Sequence, residues 1–298
     1  MMQVTLNRIL KKLHLTFVRW SFVFNKIINT LLPFAELSAI MYLMKGTVQV
    51  MFNFFVQPEA RQGDLYFITG ADLNHIKNVL RMKTGDEILV SCDGKSDLCV
   101  IEMLDSEAAT VRVTEENYRS TELPVKIYLF QGLPKSDKME LIIQKCVELG
   151  VYAIVPVEMS RCITKLEGKK KDERVKRWQA IAESAAKQSK RNAIPEVFSV
   201  TGYAEALEMA KNLDVFMIPY ENKDGMAATV SALEKIKSGM SVGILIGPEG
   251  GFDGREVEKA VAAGGTSVSL GKRILRTETA AITAVSMCML YTEMNIGE

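Results

Sequence analysis

The sequence predicts an α/β fold with a mainly parallel sheet from about residue 125 onward, preceded by a small β-barrel. Two patterns and one bound carry this. Apolar runs of strand length alternate with amphipathic helical stretches over residues 125–298, the signature of parallel strands joined by crossover helices. Residues 51–118 instead hold short alternating strands punctuated by turn residues, as in a small all-β unit. With 298 residues, 48% apolar and 24% charged, the chain has room for about two domains, one with a full core.

Residues 1–50 stand apart. They hold six basic side chains against one acid, which leaves a formal charge of −4 on residues 51–298 within an overall +1. Lys26, Glu36 and Lys45 interrupt every uncharged run well short of the ~20 residues that span a bilayer. The segment is expected either to lie upstream of a true start at Met51, or to be a disordered or membrane-touching arm.

In the barrel region, 86–91 (DEILVS), 98–103 (LCVIEM) and 110–114 (TVRVT) read as strands, and Asp93-Gly94 as a hairpin turn. A helix over 72–82, capped by Asp72, places Leu73, Ile76, Val79 and Leu80 on one face. Residues 119–124 (RSTELP) form a polar linker ended by proline. Beyond it, strands are expected at 126–130, 153–157, 214–220, 242–247 and 266–270. Helices are expected at 138–149 (closed by Gly150), 172–190, 253–263 and about 277–294. Asp253 and Glu256 have the spacing of a capping box, and Thr277 or Thr279 is the expected cap of the last helix. That helix is apolar nearly all round, so either a dimer interface or an ordinary core must cover several of its sides.

Composition excludes several chemistries. The five cysteines include no C-x-x-C pair, and His14 and His75 are the only histidines. Zinc sites, disulfide frameworks and histidine-based catalysis are therefore not indicated, and the thiols fit a reducing cytosol. Open parallel sheets bind ligands at the carboxyl ends of their strands. The loops after Tyr220, Gly247 and Leu270 are thus the candidates. The second follows an apolar strand and reads LIGPEGGF, residues 245–252. It lacks the lysine and Ser/Thr of a nucleotide-phosphate loop and the spacing of a dinucleotide fingerprint. Its Glu249 would repel phosphate. Taken alone, the stretch could equally be a tight strand-to-helix turn. Residues 161–191 carry eleven basic and four acidic side chains. Such a patch suits an anionic partner, nucleic acid first, or is a solvated lysine-rich helix.

The third loop, LGKRILRTETAA (270–281), makes the pair specific. Together with LIGPEGGF it resembles the cofactor loops of the SPOUT methyltransferases, and in particular the RsmE family, which methylates N3 of a uridine in 16S ribosomal RNA. HIKNVLRM (75–82), GLPKSDKMELIIQKCVELG (132–150), SRCITKL (160–166) and RWQAIAESAAKQSKRNAIPE (177–196) are similar too, so the likeness covers essentially 51–298. The resemblance implies a PUA-like barrel and a C-terminal domain tied in a trefoil knot. It implies a homodimer, 16S ribosomal RNA or the assembled small subunit as partner, no metal, and S-adenosylmethionine as cofactor.

Cofactor contacts are implied for Tyr220 and Glu221 of the first loop and for Ile246, Gly247, Glu249, Gly250 and Gly251 of the second. Leu270, Gly271, Ile274, Leu275 and Thr277 complete the set. A loop carboxylate is tolerable beside this cationic, phosphate-free ligand. By position, Arg276 and Arg191 are the expected donors to the uracil carbonyls, although Arg276 could instead pair with Glu278; no residue is assigned to take the N3 proton. Arg81, Lys138, Arg161, Lys165, Lys169, Lys170, Lys171, Arg174 and Lys190 are expected at phosphates. Two positions depart from the family pattern. Lys187 stands where glutamate is usual, removing an ion-pair partner from Arg191. Asn53 stands where arginine is usual, removing an RNA contact. Methylation of a ribose hydroxyl or another base nitrogen, or a silent RNA-binding assembly factor, are the alternative functions.

Overall fold

Short β-branched and aromatic strands fold first into a six-stranded sheet, in the order β1-β4-β5-β6-β3-β2. These are β1 Asn53–Phe55, β2 Arg61–Gln62, β3 Leu65–Ile68, β4 Glu87–Cys92, β5 Lys95–Leu104 and β6 Ala109–Glu115. The computed structural model describes residues 51–118, 120–220 and 225–296, and Phe52–Glu298 form one compact unit. The expectations for residues 1–50 lie outside the described residues. Alternate residues of β1, β3, β4, β5 and β6, among them Phe54, Tyr66, Ile88, Val90, Ile101 and Val111, face one small core. The Asp93-Gly94 turn is as expected. Both residues have positive φ (+49° and +75°) and join Cys92 to Lys95, the twist that a two-residue hairpin needs.

The helix on this sheet differs from expectation. It begins at Gly70, as α1 Gly70–Asn74, and continues as a π-helical turn, His75–Val79. Its N-cap is Thr69, not Asp72. The Asp72 carboxylate is used elsewhere, 3.6 Å from the Lys187 ammonium.

The second sheet is built from parallel strands in the order β10-β8-β7-β12-β11-β13, with β9 also on β8. They are β7 Lys126–Gly132, β8 Ala153–Glu158, β9 Glu196–Val197, β10 Thr201–Gly202, β11 Val215–Pro219, β12 Ser241–Ile246 and β13 Thr266–Val268. Near-continuous apolar runs suit strands buried on both faces. Ile127, Leu129, Ile154, Met217 and Ile244 point to one face, under α2 Lys138–Glu148, α3 Lys169–Gln188 and α7 Thr277–Asn295. Phe130, Val155, Phe216, Ile218 and Leu245 point to the other, under α4 Tyr203–Ala210 and α6 Gly254–Ala262. The Asp253–Glu256 capping box is formed. Helix α4 and helix α5, Ala227–Leu233, are additional to the expected elements. Among the described residues no helix is long and apolar enough to cross a membrane.

The last helix is apolar on its exposed as well as its buried side. Ala281, Ala284, Val285 and Cys288 are buried in the core, while Leu290 and Met294 are 48% and 73% exposed. Its N-cap is Arg276, so neither threonine caps it; Thr277 is its first residue and is turned inward.

Candidate active site

A cleft of about 1080 Å³ opens where β11, β12 and β13 end, walled by the three loops that follow them. Tyr220, Ile246, Gly247, Glu249, Gly251, Leu270, Gly271, Ile274, Leu275 and Thr277 all line it, as does Arg276. Glu221 lies outside the described residues. Gly250 is not on the wall. A Cβ there would come within 3.0 Å of the Arg161 Cβ, so this glycine makes room for Arg161 rather than for a ligand.

Backbone geometry explains the remaining loop. Pro248 turns the chain, and Gly251, at φ +67°, donates its N–H back to the Pro248 carbonyl at 2.9 Å. The turn packs against Gly132 at the end of β7. A Cβ on Gly132 would sit 2.8 Å from Pro248 Cδ, so any larger residue would push the loop out. Thr277 ties the third loop to the second: its hydroxyl donates to the Gly247 carbonyl at 2.7 Å and accepts from Gln131 Nε2 at 3.0 Å. Gln131 and Gly132 escaped sequence reasoning because they end a strand whose own loop lies outside the candidate set. The GLPKSD run after them was the available signal.

Charge is distributed unevenly around the cleft. Arg161, Lys272, Arg273 and Arg276 are exposed and line it. Arg276 makes no ion pair among the described residues. The alternative Arg276–Glu278 pair is not formed; Lys138 pairs with Glu278 instead, with Nζ 3.2 Å from Glu278 Oε2 and 3.1 Å from Glu249 Oε1. Burial opposes the charge on Glu249, but the Lys135 amide at 3.0 Å and the Lys138 ammonium outweigh it and hold the carboxyl below its ordinary range. Contact with Glu249, ahead of the ion pair with Glu278, keeps the Lys138 ammonium protonated to higher pH than usual.

A family model described as an RNA methyltransferase domain matches residues 121–289, and one described as an RNA methyltransferase PUA domain matches 68–114. Ribosomal RNA small subunit methyltransferase E of Bacillus subtilis is 37% identical over 84% of this chain and 100% of its own length. The chain belongs to the ribosomal RNA small subunit methyltransferase E family. A Neisseria gonorrhoeae enzyme of that name, solved bound to S-adenosyl methionine, is 35% identical. It superposes with a TM-score of 0.65 over 80% of this chain and 96% of its own. A Legionella pneumophila methyltransferase described as putative and solved with its bound cofactor SAM is 30% identical, with a TM-score of 0.67 over 82% and 98% of the two chains.

For this methyltransferase E family member, two expected roles change. Arg191 is not at the cleft. It is 3% exposed, and its guanidinium donates to the Glu122 carboxylate and to the carbonyls of Val147 (3.2 Å) and Val151 (2.6 Å). Four of its five N–H donors are used by these acceptors and the group is enclosed away from the cleft, so it does not reach a nucleobase; it pins the linker to the parallel-sheet domain. Lys138 is a cleft residue held by two carboxylates, not a surface phosphate contact.

The basic segment divides in two. Lys165, Lys169, Lys170 and Lys190 are exposed, as are Arg161 and, on the smaller domain, Arg81. Lys171 and Arg174 pair with Glu158 (3.9 Å) and Glu140 (3.7 Å). The two departures from the family pattern both lie where the smaller domain meets α3. Asn53 Nδ2 donates to the Arg191 carbonyl at 2.9 Å, and Lys187 reaches Asp72 and, at 2.9 Å, Glu183. Lys187 therefore leaves Arg191 fully partnered, because Glu122 fills that place.

Proposed function

We propose that this chain transfers the methyl group of S-adenosylmethionine to N3 of a uridine in small-subunit ribosomal RNA, in the cytoplasm and as a homodimer. One observation carries the proposal: three loops, the third fastened to the second, form a cleft with apolar walls and a cationic rim. The residues present fit the cofactor. Ile246, Leu270 and Leu275 offer apolar surface to a purine, Gly247 and Gly251 expose main chain at close range, and nothing resembles a phosphate cradle. When bound, the cofactor supplies an electrophilic methyl on a sulfonium centre.

The chain's own residues hold the uridine beside it and take it out of its stack. From the rim, Arg276 donates to a uracil carbonyl and stabilises the charge that builds as N3 loses its proton. Arg81, Arg161, Lys165, Lys169, Lys170 and Lys190 contact phosphates, which position the RNA without reading its sequence. Exposed Leu290 and Met294 on α7 and Leu141 on α2 support a second copy packing there. The strand order β7-β12-β11-β13, with the last loop fastened back on Gly247, supports a chain threaded as a trefoil knot.

Mass mapping of methylated nucleotides in ribosomal RNA from cells with and without the gene tests the proposal. Loss of one N3-methyluridine is expected, and an unchanged pattern overturns it. Calorimetry with S-adenosylmethionine separates this enzyme from a silent RNA adaptor, and light scattering tests the dimer.

A further inference from the structure

Lys138, Glu249 and Glu278 come from three separate elements: the start of α2, the loop after β12 and the first turn of α7. They meet through one ammonium, 3.1 Å from Glu249 Oε1 and 3.2 Å from Glu278 Oε2. Two carboxylates against one ammonium leave a net charge of −1. The cluster is more sheltered than the rest of the cleft's charge: the side chains are 29%, 24% and 14% exposed for Lys138, Glu249 and Glu278. Glu278 Oε2 is buried and has no hydrogen bond, only the ion pair with that ammonium. The cations Arg161, Lys272, Arg273 and Arg276 are exposed around it, where water and salt screen them. Lys138 and Glu249 line the cleft and Glu278 stands behind them against Lys138, so the cleft has a cationic rim and an anionic patch in and behind its wall.

This separation matters for the two forms of the cofactor. A methyl donor carries a sulfonium cation, and its demethylated product carries a neutral thioether; the nucleoside and amino-acid parts are the same. A negative patch in a sheltered wall acts on that one difference. We propose that the Lys138–Glu249–Glu278 cluster is a positioning and charge-selecting device that makes the cleft prefer the methyl donor over the demethylated product. Lys138 holds the two carboxylates at fixed places, one on the loop after β12 and one in the first turn of α7, and the uncompensated charge supplies the preference. The inference rests on the methyltransferase proposal and deepens it.

Isothermal calorimetry of S-adenosylmethionine and S-adenosylhomocysteine on the full chain tests it, as the ratio of their two dissociation constants. Glu278→Gln removes one negative charge while keeping shape. It is expected to weaken donor binding about fivefold or more while leaving product binding unchanged. Glu249→Gln is expected to act in the same direction and serves if the first variant does not fold. Lys138→Met should move the ratio the opposite way, towards the donor, while weakening both ligands through loss of the clamp. Lys138→Arg should restore the native ratio. Equal weakening of both ligands by both glutamine variants overturns the inference, since a purely structural carboxylate does not distinguish them. A native chain that binds neither ligand overturns the methyltransferase proposal itself, an outcome visible before any variant is made.

Discussion

The Thr277 hydroxyl donates to the Gly247 carbonyl at 2.7 Å, joining the first residue of the last helix to the end of a central strand thirty residues earlier. The same oxygen accepts from Gln131, so three chain segments meet at one buried hydroxyl. Thr277→Val leaves the Gly247 carbonyl and Gln131 Nε2 each without this partner. It should lower stability by about 1–3 kcal/mol and loosen donor binding, whereas Thr277→Ser should retain both. Denaturant melts paired with calorimetry check this.

Arg191 and Arg276 should separate cleanly. Arg191→Ala takes the ion-pair partner from half-buried Glu122, leaving it two main-chain donors, and strands two main-chain carbonyls; it should cost about 3 kcal/mol of stability. Arg276→Ala removes an exposed side chain and should shift stability by less than about 0.5 kcal/mol while slowing methyl transfer about a hundredfold. Urea unfolding and single-turnover transfer, measured on both variants, decide it. Full transfer activity in Arg276→Ala would remove that residue from the mechanism.

Gly132 is a test of loop placement from outside the loop. Its missing Cβ leaves the 2.8 Å approach of Pro248, and Gly132→Ala should cost about 1–3 kcal/mol by overpacking. Because Pro248 begins the turn of the cleft, donor affinity should fall with it. Unchanged affinity would mean the loop moves without consequence.

The cleft charges should be insensitive to pH near neutrality. Glu249 is depressed below an ordinary 4.5, so its contribution is present above that value and is lost as pH falls through its folded pKa. Lys138 is raised above an ordinary 10.5, so its contribution is present below that value and is lost as pH rises through its folded pKa. Donor affinity by calorimetry should therefore stay flat from about pH 6 to about pH 9.

Exposed lysines should behave additively and without sequence preference. Lys169→Ala and Lys170→Ala should each flatten the salt dependence of RNA binding by about 0.7–0.9 in the log–log slope. Lys171→Ala should do less, since Glu158 already draws on its charge. Salt titrations of RNA binding measure all three.

Much of this was legible along the chain. Apolar runs of strand length, the Asp253–Glu256 box and the Asp93-Gly94 turn act within a few residues, so local pattern is enough to place them. The three ligand loops followed, since parallel strands put their carboxyl ends together. Asp72, a plausible cap by spacing, lies inside the first turn because the helix starts at Gly70, and its carboxylate pairs with Lys187, 115 positions further along the chain.

What the sequence determined by itself was the order of the main elements, the parallel sheet and the identity of the loops that line the cleft. Only the tertiary structure decided which charges face a ligand. Arg191 went into the linker joint and Lys138 into the cleft wall, although both are basic side chains beside a helix end in one dimension. The reason is physical: burial and pairing depend on acceptors brought from distant segments, such as Glu122 for one and Glu249 with Glu278 for the other. No periodicity records where those acceptors will be.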